Sequence, residues 1–558
     1  MIANLQDAAT LNDKLTPHPT TAQSAAHWNA TTTACACAIV LIACALRVYR
    51  IGVQDLWLDE AFSWHIATVS PWLDKALSDN NPPLYFLLLR MWIRFAGESE
   101  HALRLLSAGF GALFVVMAIR VGHQIFTPRI GLWSGFWAAV ASLHIAYSQQ
   151  ARAYTLLTLA LLLTYGALWR ALEGDTWRAW AGVSFGALVA LYSHYFAVLG
   201  LLPSACIVAI SGRGRWMRYA AAMLLSFALF LPWVVGSFAL APHSLQGTTW
   251  IPAIWKDTPP LLAIPRTLEL FGLGGHAVAM QTAPGEFSRA LPAALRLIGI
   301  SVLAFVGVSL AVPWGDVRVA AARLRERKAA LWLMLLVPLL VLWSVSFLKP
   351  LYVVGRYDLV AFPACPLLLG LAFGKIEAVA GRRLAWLLAL ALLVPVGAQL
   401  AAQYRTGGYH FYRATAQALD ARVESGDLVV FTQLGGLPVL YQLHHLGYRW
   451  REGQCQNEAA GRRFGCRMFP RETEQTPAVY DPIRVKHSPQ AVREDTGDFL
   501  RGLAPTGNVH VVFGKFRAGG GRLTIPPIDS RFVAELRRRG WGLASAEPDL
   551  GIARYRKS

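Results

Sequence analysis

The stretch AYTLLTLALLLTYGALWRAL, residues 153–172, contains a single charged side chain, Arg170, in twenty positions. An α-helix of that length rises about 30 Å, which matches the hydrocarbon core of a bilayer. Such a helix has almost no charged surface to present to water. The stretch therefore predicts a helix that crosses a membrane.

Ten further apolar runs are long enough to be interpreted in the same way. They lie at 32–49, 101–123, 130–147, 178–194, 195–211, 217–240, 290–312, 329–348, 357–374 and 383–402. The whole chain is 55% hydrophobic and only 15% charged, whereas a soluble domain carries about 25% charged residues. The sequence therefore predicts a polytopic α-helical membrane protein with about eleven transmembrane helices.

Basic residues mark the connection after every second predicted span. They are Arg120 and Arg129, then Arg170 and Arg178, then Arg213, Arg215 and Arg218, then Arg318, Arg323, Arg325, Arg327 and Lys328, then Lys375, Arg382 and Arg383. The positive-inside rule places these connections in the cytoplasm, together with an N-terminal tail, residues 1–31. Residues 32–402 then form the membrane domain. Its other connections lie on the extracytoplasmic side of a membrane that we expect to be the bacterial inner membrane.

The net charge of +19 does not indicate a nucleic-acid partner. Most of the basic residues lie between apolar runs, and no basic stripe is interleaved with exposed aromatic residues. They are explained as topology signals and as partners of phosphate groups. We therefore expect membrane lipid as a partner and no nucleic acid.

Residues 403–558 differ from the rest of the chain because they are polar. The segments SGDLVVFTQ, residues 425–433, and GNVHVVFGK, residues 507–515, predict short buried β-strands, and residues 411–423 predict a helix. The sequence thus predicts a small C-terminal α/β extracytoplasmic domain. Cys455 and Cys466 lie in this domain and can form a disulfide in an oxidising compartment.

Asp59 and Glu60 lie in LWLDEAFSWHIA, directly outside the first predicted span. A carboxylate at the membrane surface can act as a general base on an acceptor, or it can hold a divalent cation. The alternative is an aspartate that caps a short interfacial helix. Both residues are candidate catalytic groups, and they are the candidate ligands if a metal is bound.

Two prolines interrupt the next outer segment, SDNNPPLYFLLLRMW, residues 78–92. They predict the start of an interfacial helix that is too short to span the bilayer. Asp79, Asn80 and Asn81 precede it and would then face a substrate cleft. A cluster of helix-capping residues is the alternative interpretation.

Further polar residues fall on two other outer turns. Gln150, Arg152 and Tyr154 surround the end of the third span, where an arginine needs an anionic partner such as a lipid phosphate. A lipid headgroup or a protein carboxylate would satisfy it equally well. His194 and Tyr195 lie in a turn between two spans, where a histidine has either a structural or a substrate-binding role.

A last outer turn, KPLYVVGRY, contains Lys349, Arg356 and Tyr357. The positive-inside rule disfavours two cations on this side of the membrane. Binding of a donor phosphate explains the exception. Snorkelling of the side chains to the interface is the alternative.

Several motifs occur in an order that resembles a known family. They are LWLDEAFS, NPPLYFLLL, HALRLLSAGFGAL, YSQQARAYTLLTL and LYSHYFAVL. They resemble the family 39-like membrane glycosyltransferases of the GT-C class, which are related to protein O-mannosyltransferases and to the aminoarabinose transferase of lipid A. The resemblance covers residues 45–200 most closely, extends to 349–366 and fades beyond 403.

The resemblance implies an inverting transfer of a sugar from a polyprenyl-phosphate donor in a cleft at the outer face. Asp59 matches the catalytic acidic residue of the first outer loop, and Glu60 matches its usual companion. Arg152 matches the arginine of the second-loop motif, and Arg356 resembles a later phosphate-binding arginine. The acceptor, which is a lipid, a glycan or a protein, is not implied.

Two positions depart from the family pattern. Asn81 precedes Pro82 and Pro83 where relatives often have histidine, and Gln150 stands where many have glutamate. Asp59 is therefore expected to act as the sole base, and a requirement for a divalent cation stays open. A lipid-linked-sugar transporter and a non-catalytic family member are the competing hypotheses, although no transporter-like repeat is visible.

Overall fold

A computed structural model describes residues 28–557 apart from a set of internal segments. Those segments are 78, 80, 212–213, 241–250, 253–254, 256–258, 275–291, 312–317, 406–411, 433–434, 452, 471–488, 502–506, 515–516, 520–521 and 525–526. Of the predicted features, Asn80 and nearly all of the N-terminal tail lie outside the described residues.

The described residues up to Arg405 form a bundle of sixteen α-helices. They are α1 (Ala30–Val48), α2 (Leu58–Thr68), α3 (Trp72–Leu77), α4 (Leu84–Ala96), α5 (Glu100–Ile125), α6 (Pro128–Val140), α7 (Ser142–Ser148), α8 (Tyr154–Gly174), α9 (Trp177–Ser193), α10 (Ala197–Ser211), α11 (Trp216–Leu240), α12 (Pro260–Leu273), α13 (Ala293–Ala311), α14 (Arg318–Ser346), α15 (Ala364–Ala380) and α16 (Arg382–Arg405). A short 3₁₀ helix, Asp358–Ala361, precedes α15.

Eight helices within the described ranges are long and apolar enough to cross a membrane, and a ninth crossing results if α6 and α7 form one bent span. The chain is therefore a multi-pass membrane protein. The remaining two of the eleven predicted runs, 178–194 and 195–211, are also helical and form α9 and α10, which contain 17 and 15 residues. Extended backbone at His194 ends α9 and limits the length of both helices.

The bend between α6 and α7 directs the chain toward the site described below. The two helix axes differ by 61°, and Ala141 at the break has a non-helical ψ of 102°. The buried guanidinium of Arg47 donates hydrogen bonds to the carbonyls of Ala138 and Ala139, at 3.0 and 3.1 Å. It therefore supplies donors to carbonyl groups that the interrupted helix leaves without intrahelical partners.

Helix α4 is too short to cross the bilayer, as its two preceding prolines predict. It has 13 residues, which correspond to a length of about 20 Å. Its Phe95 side chain is 85% exposed, and Leu87 and Met91 are also exposed. This apolar face is typical of a helix that lies at a membrane interface.

The C-terminal part of the chain is built around a mixed β-sheet. Its helices are α17 (Tyr412–Arg422), α18 (Gly436–His445), α19 (Pro489–Arg501) and α20 (Pro527–Arg538), and its strands are β1 (Leu428–Thr432), β2 (Arg449–Arg451), β3 (Gln454–Asn457), β4 (Arg462–Phe469), β5 (Val509–Val512), β6 (Arg517–Gly519), β7 (Arg522–Thr524), β8 (Trp541–Glu547) and β9 (Ile552–Lys557). The sheet has the order β2-β3-β4-β1-β5-β9-β8, and β6 pairs with β7 separately. Strand β1 runs parallel to β4 and β5, while the other pairs are antiparallel. This confirms the small C-terminal α/β unit.

The two predicted central strands, β1 and β5, are completely buried. Alternate side chains of β1 therefore enter two different cores. Val429 and Phe431 pack with α17 and α18, whereas Leu428 and Val430 pack with α19 and α20. A disulfide joins Cys455 of β3 to Cys466 of β4.

Candidate active site

The first turn of α2 carries the two carboxylates that the sequence singles out. The helix begins after Trp57, whose backbone N–H donates to Glu60 Oε2 at 3.3 Å. Asp59 and Glu60 thus lie where the positive end of the helix dipole favours negative charge. Because consecutive residues point in different directions on a helix, the two side chains reach different partners.

Asp59 lies between two arginines from distant parts of the chain. Its Oδ2 accepts a hydrogen bond from Arg356 Nη2 at 2.7 Å and lies 4.0 Å from Arg152 Nη2. The side chain of Asp59 is 18% exposed, compared with 9% for Arg152 and 13% for Arg356. The carboxylate is therefore paired but still accessible. The fold brings together three groups that the sequence places on three separate outer segments.

Glu60 has different surroundings. Its Oε1 accepts from Arg104 Nε at 2.7 Å and from the Ala151 backbone N–H at 2.8 Å. Its Oε2 accepts from Arg104 Nη2 at 2.7 Å, in addition to the Trp57 contact. Only 1% of its side chain is exposed. Each carboxylate oxygen is thus engaged by protein donors, so the contacts of Glu60 favour a structural role over the predicted catalytic role.

The short turn between α7 and α8 holds Arg152 in place. Arg152 Nη1 donates to Ser63 Oγ and to the Asp59 carbonyl, both at 3.2 Å. The Arg152 carbonyl accepts from Ser107 Oγ at 3.1 Å, and Ser107 Oγ is 2.8 Å from Tyr85 Oη. Contacts with α2, α4 and α5 therefore fix both the backbone and the side chain of this arginine.

A tight turn before the 3₁₀ helix holds Arg356. Gly355 has a φ of +78°, a value that residues with a side chain rarely adopt. Its carbonyl accepts a hydrogen bond from Tyr147 Oη, and its N–H donates to Asp358 Oδ2 at 2.9 Å. This turn directs Arg356 toward Asp59.

Aromatic rings surround the two guanidinium groups. The Arg356 guanidinium lies 5.8 Å from the ring centre of Tyr154 and 5.7 Å from that of Tyr357. Tyr357 stacks on Phe196 with the centroids 4.1 Å apart. The buried Tyr154 hydroxyl has no hydrogen-bond partner among the described residues. It is therefore available to a ligand oxygen.

His194 completes this wall as a neutral side chain. Burial lowers its pKa to about 3, and the positive charges of Arg152 and Arg356 act in the same direction. Its Nδ1 accepts a hydrogen bond from the Phe196 backbone N–H at 3.2 Å, which places the proton on Nε2. His194 can therefore donate one hydrogen bond without adding charge.

Asp79 is a second carboxyl group close to the cluster. Only 3% of it is exposed, and burial raises its pKa, with Arg152 acting in the opposite direction. Its Oδ1 accepts from the backbone N–H and the side-chain amide of Asn81, at 2.8 and 3.0 Å. Burial thus opposes ionisation of Asp79, whereas Asp59 is the carboxylate that the two guanidinium groups contact.

The other predicted site residues have varied positions. Lys349 is exposed after the end of α14, and none of its contacts in the described structure reaches Asp59, Arg152 or Arg356. The half-buried Tyr195 accepts a hydrogen bond from Trp233 Nε1 at 3.2 Å. The Gln150 Oε1 atom is buried, with no hydrogen-bond partner among the described residues.

Asp59 and Glu60 are also the candidate metal ligands. Among the described residues, no group of three or more His, Cys, Asp or Glu side chains could hold a metal ion. Glu60 cannot pair with Asp59 as a ligand without giving up its contacts with Arg104 and Ala151. The binding of a divalent cation by these two carboxylates therefore stays a prediction.

Sequence reasoning missed the supporting residues Arg104, Ser63 and Tyr147. Arg104 could have been found, because an arginine within an apolar run is costly unless it has a specific partner. Ser63 and Tyr147 carry no comparable signal. Their roles depend on which helices become neighbours.

Comparison with known proteins adds sequence and fold evidence. Residues 80–235 match the family described as dolichyl-phosphate-mannose-protein mannosyltransferase. This region includes Arg152 and His194 but neither Asp59 nor Arg356. Among proteins of curated function, none matches the chain in sequence.

The crystal structure of ArnT from Cupriavidus metallidurans bound to undecaprenyl phosphate aligns with 94% of this chain and 98% of its own, with a TM-score of 0.60 and 12% identity. The fold is that of the GT-C glycosyltransferases. The apo state of the same ArnT gives a TM-score of 0.57 and 10% identity, with the same coverage. The Archaeoglobus fulgidus oligosaccharyltransferase in its apo form gives 0.49 and 12% identity, over 86% of this chain and 69% of its own. The family match and the two ArnT structures confirm the resemblance noted from the sequence motifs. Because the ArnT alignment covers 94% of this chain, it includes most of the C-terminal part.

Proposed function

We propose that this protein transfers a sugar from a polyprenyl-phosphate donor to an acceptor at the outer face of the membrane, with inversion, and that Asp59 is the general base. The observation that carries the proposal is the contact of Asp59 with Arg152 and Arg356 in a partly exposed site bordered by aromatic rings. The chemistry of sugar transfer needs a base beside cations that bind a phosphate. This cluster offers groups of both kinds.

The charges fit a donor of this class. A phosphodiester carries one negative charge, and in this site two guanidinium groups face the carboxylate of Asp59. Arginine is suited to phosphate because its planar fork donates two parallel hydrogen bonds. The hydroxyl of Tyr154 and the Nε2–H of His194 add neutral donors on the same side.

Donor binding also explains how Asp59 becomes a base. A phosphate that engages Arg356 competes with the Asp59 carboxylate for the same guanidinium. Asp59 is then free to accept the proton of an acceptor hydroxyl or amine as that atom bonds to the anomeric carbon. The bond from that carbon to the phosphate oxygen breaks at the same time, and Arg152 and Arg356 stabilise the additional charge on the departing polyprenyl phosphate.

A single displacement of this kind inverts the anomeric centre. A retaining reaction through a covalent intermediate would need a carboxylate nucleophile in addition to a base. Asp79 is a poor candidate for that nucleophile, because only 3% of it is exposed and its Oδ1 already accepts two hydrogen bonds from Asn81. The structure of the site therefore supports the inverting route.

The distribution of basic residues and a disulfide support an extracytoplasmic location of the site. Positive-inside topology places the loops that carry Asp59, Arg152, His194 and Arg356 outside the cytoplasm. The Cys455–Cys466 disulfide favours an oxidising compartment for the C-terminal domain. We propose an inner-membrane protein with a cytoplasmic tail (1–31), a membrane domain (32–402) and an extracytoplasmic domain (403–558). Undecaprenyl phosphate, the lipid bound to the similar ArnT, is the carrier we would test first.

The experiment measures transfer in proteoliposomes supplied with a panel of radiolabelled undecaprenyl-phosphate sugars. Wild type should release label from the lipid by transfer or hydrolysis, and Asp59→Asn should not. The matched control is Asp74→Asn, which alters an exposed aspartate on α3 and should behave like wild type. Turnover that survives in Asp59→Asn would refute the assignment of the base. Label that crosses the bilayer without chemical change would favour the transporter hypothesis instead.

A further inference from the structure

Helix α2 belongs to two parts of the molecule at once. Its residues Leu58, Ala61 and Phe62 pack into the core formed by α17, α18 and the strands of the C-terminal sheet. Its residues Asp59 and Ser63 contact the arginines of the membrane domain. The spacing of 58, 61 and 62 defines one helix face, and the candidate catalytic side chain projects from another.

The contact between α2 and α18 is specific as well as apolar. Glu98, just before α5, accepts a hydrogen bond from Trp64 Nε1 at 2.7 Å and lies 3.2 Å from His444 Nε2. The Glu98 carbonyl accepts from Tyr441 Oη at 2.8 Å. The ring of Tyr441 meets that of Trp64 edge-on, with the centroids 5.2 Å apart. We refer to these four side chains, Trp64, Glu98, Tyr441 and His444, as the Glu98 cluster.

A second set of contacts joins the C-terminal domain to the loop before α2 and to the first residue of α5. The Arg413 backbone N–H donates to Asp55 Oδ2 at 3.0 Å, just before the helix. Arg413 Nη2 and Gln442 Nε2 donate to Glu100 Oε1 at 2.7 and 2.9 Å. The C-terminal domain thus holds the loop that enters α2 as well as the helix itself.

These contacts matter because α2 is short. A helix of 11 residues is marginal in water by its own hydrogen bonds and depends on packing. The membrane domain contacts it through Asp59, Glu60 and Ser63. The C-terminal domain covers the opposite face. Removing either set of contacts would allow the first turn, and with it Asp59, to move.

We propose that the C-terminal domain is a positioning part of the active site, and that the Glu98 cluster transmits its docking to Asp59. The proposal rests on the function assigned to Asp59 above. Tyr441 and His444 are positioning residues, because their contacts reach α2 and Glu98 but neither Arg152 nor Arg356. The donor phosphate sites, by contrast, belong to the membrane domain alone. Loss of the cluster should therefore impair the transfer step and spare donor binding.

The test compares Tyr441→Ala with Phe532→Leu in the full-length protein. Tyr441→Ala removes the Glu98 bond and the ring contact with Trp64. Phe532→Leu weakens the core on the other face of the sheet, which α2 does not enter. We expect Tyr441→Ala to lower kcat by about 10-fold to 100-fold and to leave undecaprenyl phosphate binding within about twofold of wild type. Tyr441→Phe, which keeps the ring, should recover part of the rate.

Hydrogen exchange at the backbone of 58–68 provides a readout that needs no substrate. Exchange in this segment should increase in Tyr441→Ala and stay at the wild-type level in Phe532→Leu. Unchanged exchange in Tyr441→Ala would overturn the positioning role, whatever the activity. Equal losses of kcat in both variants would also overturn it, since general instability of the domain would then suffice. If wild type transfers no sugar but α2 loosens as expected, the function assigned to Asp59 fails while the structural coupling stands.

Discussion

Two ion pairs that begin on neighbouring residues of α2 have opposite environments. The Glu60–Arg104 pair is sealed, with 1% and 4% of the side chains exposed. The Asp59–Arg356 pair is more open, at 18% and 13%. Protein groups engage both oxygens of Glu60, whereas the Asp59 carboxylate accepts its hydrogen bond from an arginine that a phosphate could attract.

The difference separates structural from functional charge. A buried pair with saturated hydrogen bonds resists exchange of partners, because breaking it leaves an uncompensated charge in a medium of low polarity. A pair that water can still reach can open at smaller cost. The sealed pair therefore holds α2 against the membrane domain, and the open pair is where a substrate can enter.

The largest expected effect comes from replacing Asp59, the carboxylate of the more open pair. Asp59→Asn keeps the shape of the side chain but removes the base, so kcat should fall by about 10²-fold to 10⁴-fold. Thermal unfolding in detergent should change little, because the amide oxygen of the variant can still accept from Arg356, and Arg152 keeps its bonds to Ser63 and to the carbonyl of residue 59. A fall in activity accompanied by an equal loss in Asp74→Asn would contradict a specific role for Asp59.

Breaking the sealed pair should affect stability most. Arg104→Met leaves Glu60 buried without its cation, which we expect to cost about 3–5 kcal/mol of unfolding free energy. Arg356→Met is the matched control, because Asp59 keeps Arg152 nearby and some contact with water. Unfolding midpoints of the two variants in the same detergent measure the contrast. Equal midpoints would show that the two pairs do not differ as their burial indicates.

A smaller effect should appear when the open pair keeps its charges but loses its geometry. Arg356→Lys retains the cation and removes the planar fork, so affinity for undecaprenyl phosphate should fall by about 10-fold. Lys349→Ala should leave the affinity unchanged, since Lys349 lies exposed and apart from the cluster. Titration of both variants with undecaprenyl phosphate decides the point. A larger loss in Lys349→Ala would restore the donor-binding role first expected for that residue.

The sequence predicts the convergence of the outer loops better than it predicts the details of the site. Apolar runs and alternating arginines place Asp59, Arg152, His194 and Arg356 on one face, and the structure brings them together. Local pattern contains no information about long-range partners. It therefore did not predict that Arg104 and the Ala151 backbone engage Glu60.

The role of the C-terminal domain was not predicted for a related reason. The stripe formed by Leu58, Ala61 and Phe62 is visible in the sequence, but its partners lie in the distant C-terminal part of the chain. Only the folded structure shows that the face behind Asp59 is covered by the C-terminal domain.

The smallest expected effect concerns Asp79. Like Glu60 it is buried, but among the described residues it forms no salt bridge. Burial raises its pKa above the value of about 3.9 for an unfolded aspartate. The folded state therefore holds this proton more tightly, and the stabilisation is complete below about pH 4 and is lost as the pH rises through the raised pKa. The side chain introduced by Asp79→Asn cannot ionise, so the variant does not lose stability in this way as the pH rises.

The measurement is the difference between the unfolding midpoints of wild type and Asp79→Asn as a function of pH. The difference should shift in favour of the variant as the pH rises above about 4, while Asp74→Asn should follow wild type at every pH. The activation free energy of transfer should change by less than about 1 kcal/mol, because the amide oxygen of the substituted side chain can still accept from Asn81. A midpoint difference that does not vary with pH would show that Asp79 ionises in the folded state as an exposed carboxyl does. The site would then contain two carboxylates against two arginines, and the net charge that favours a phosphodiester would be lost.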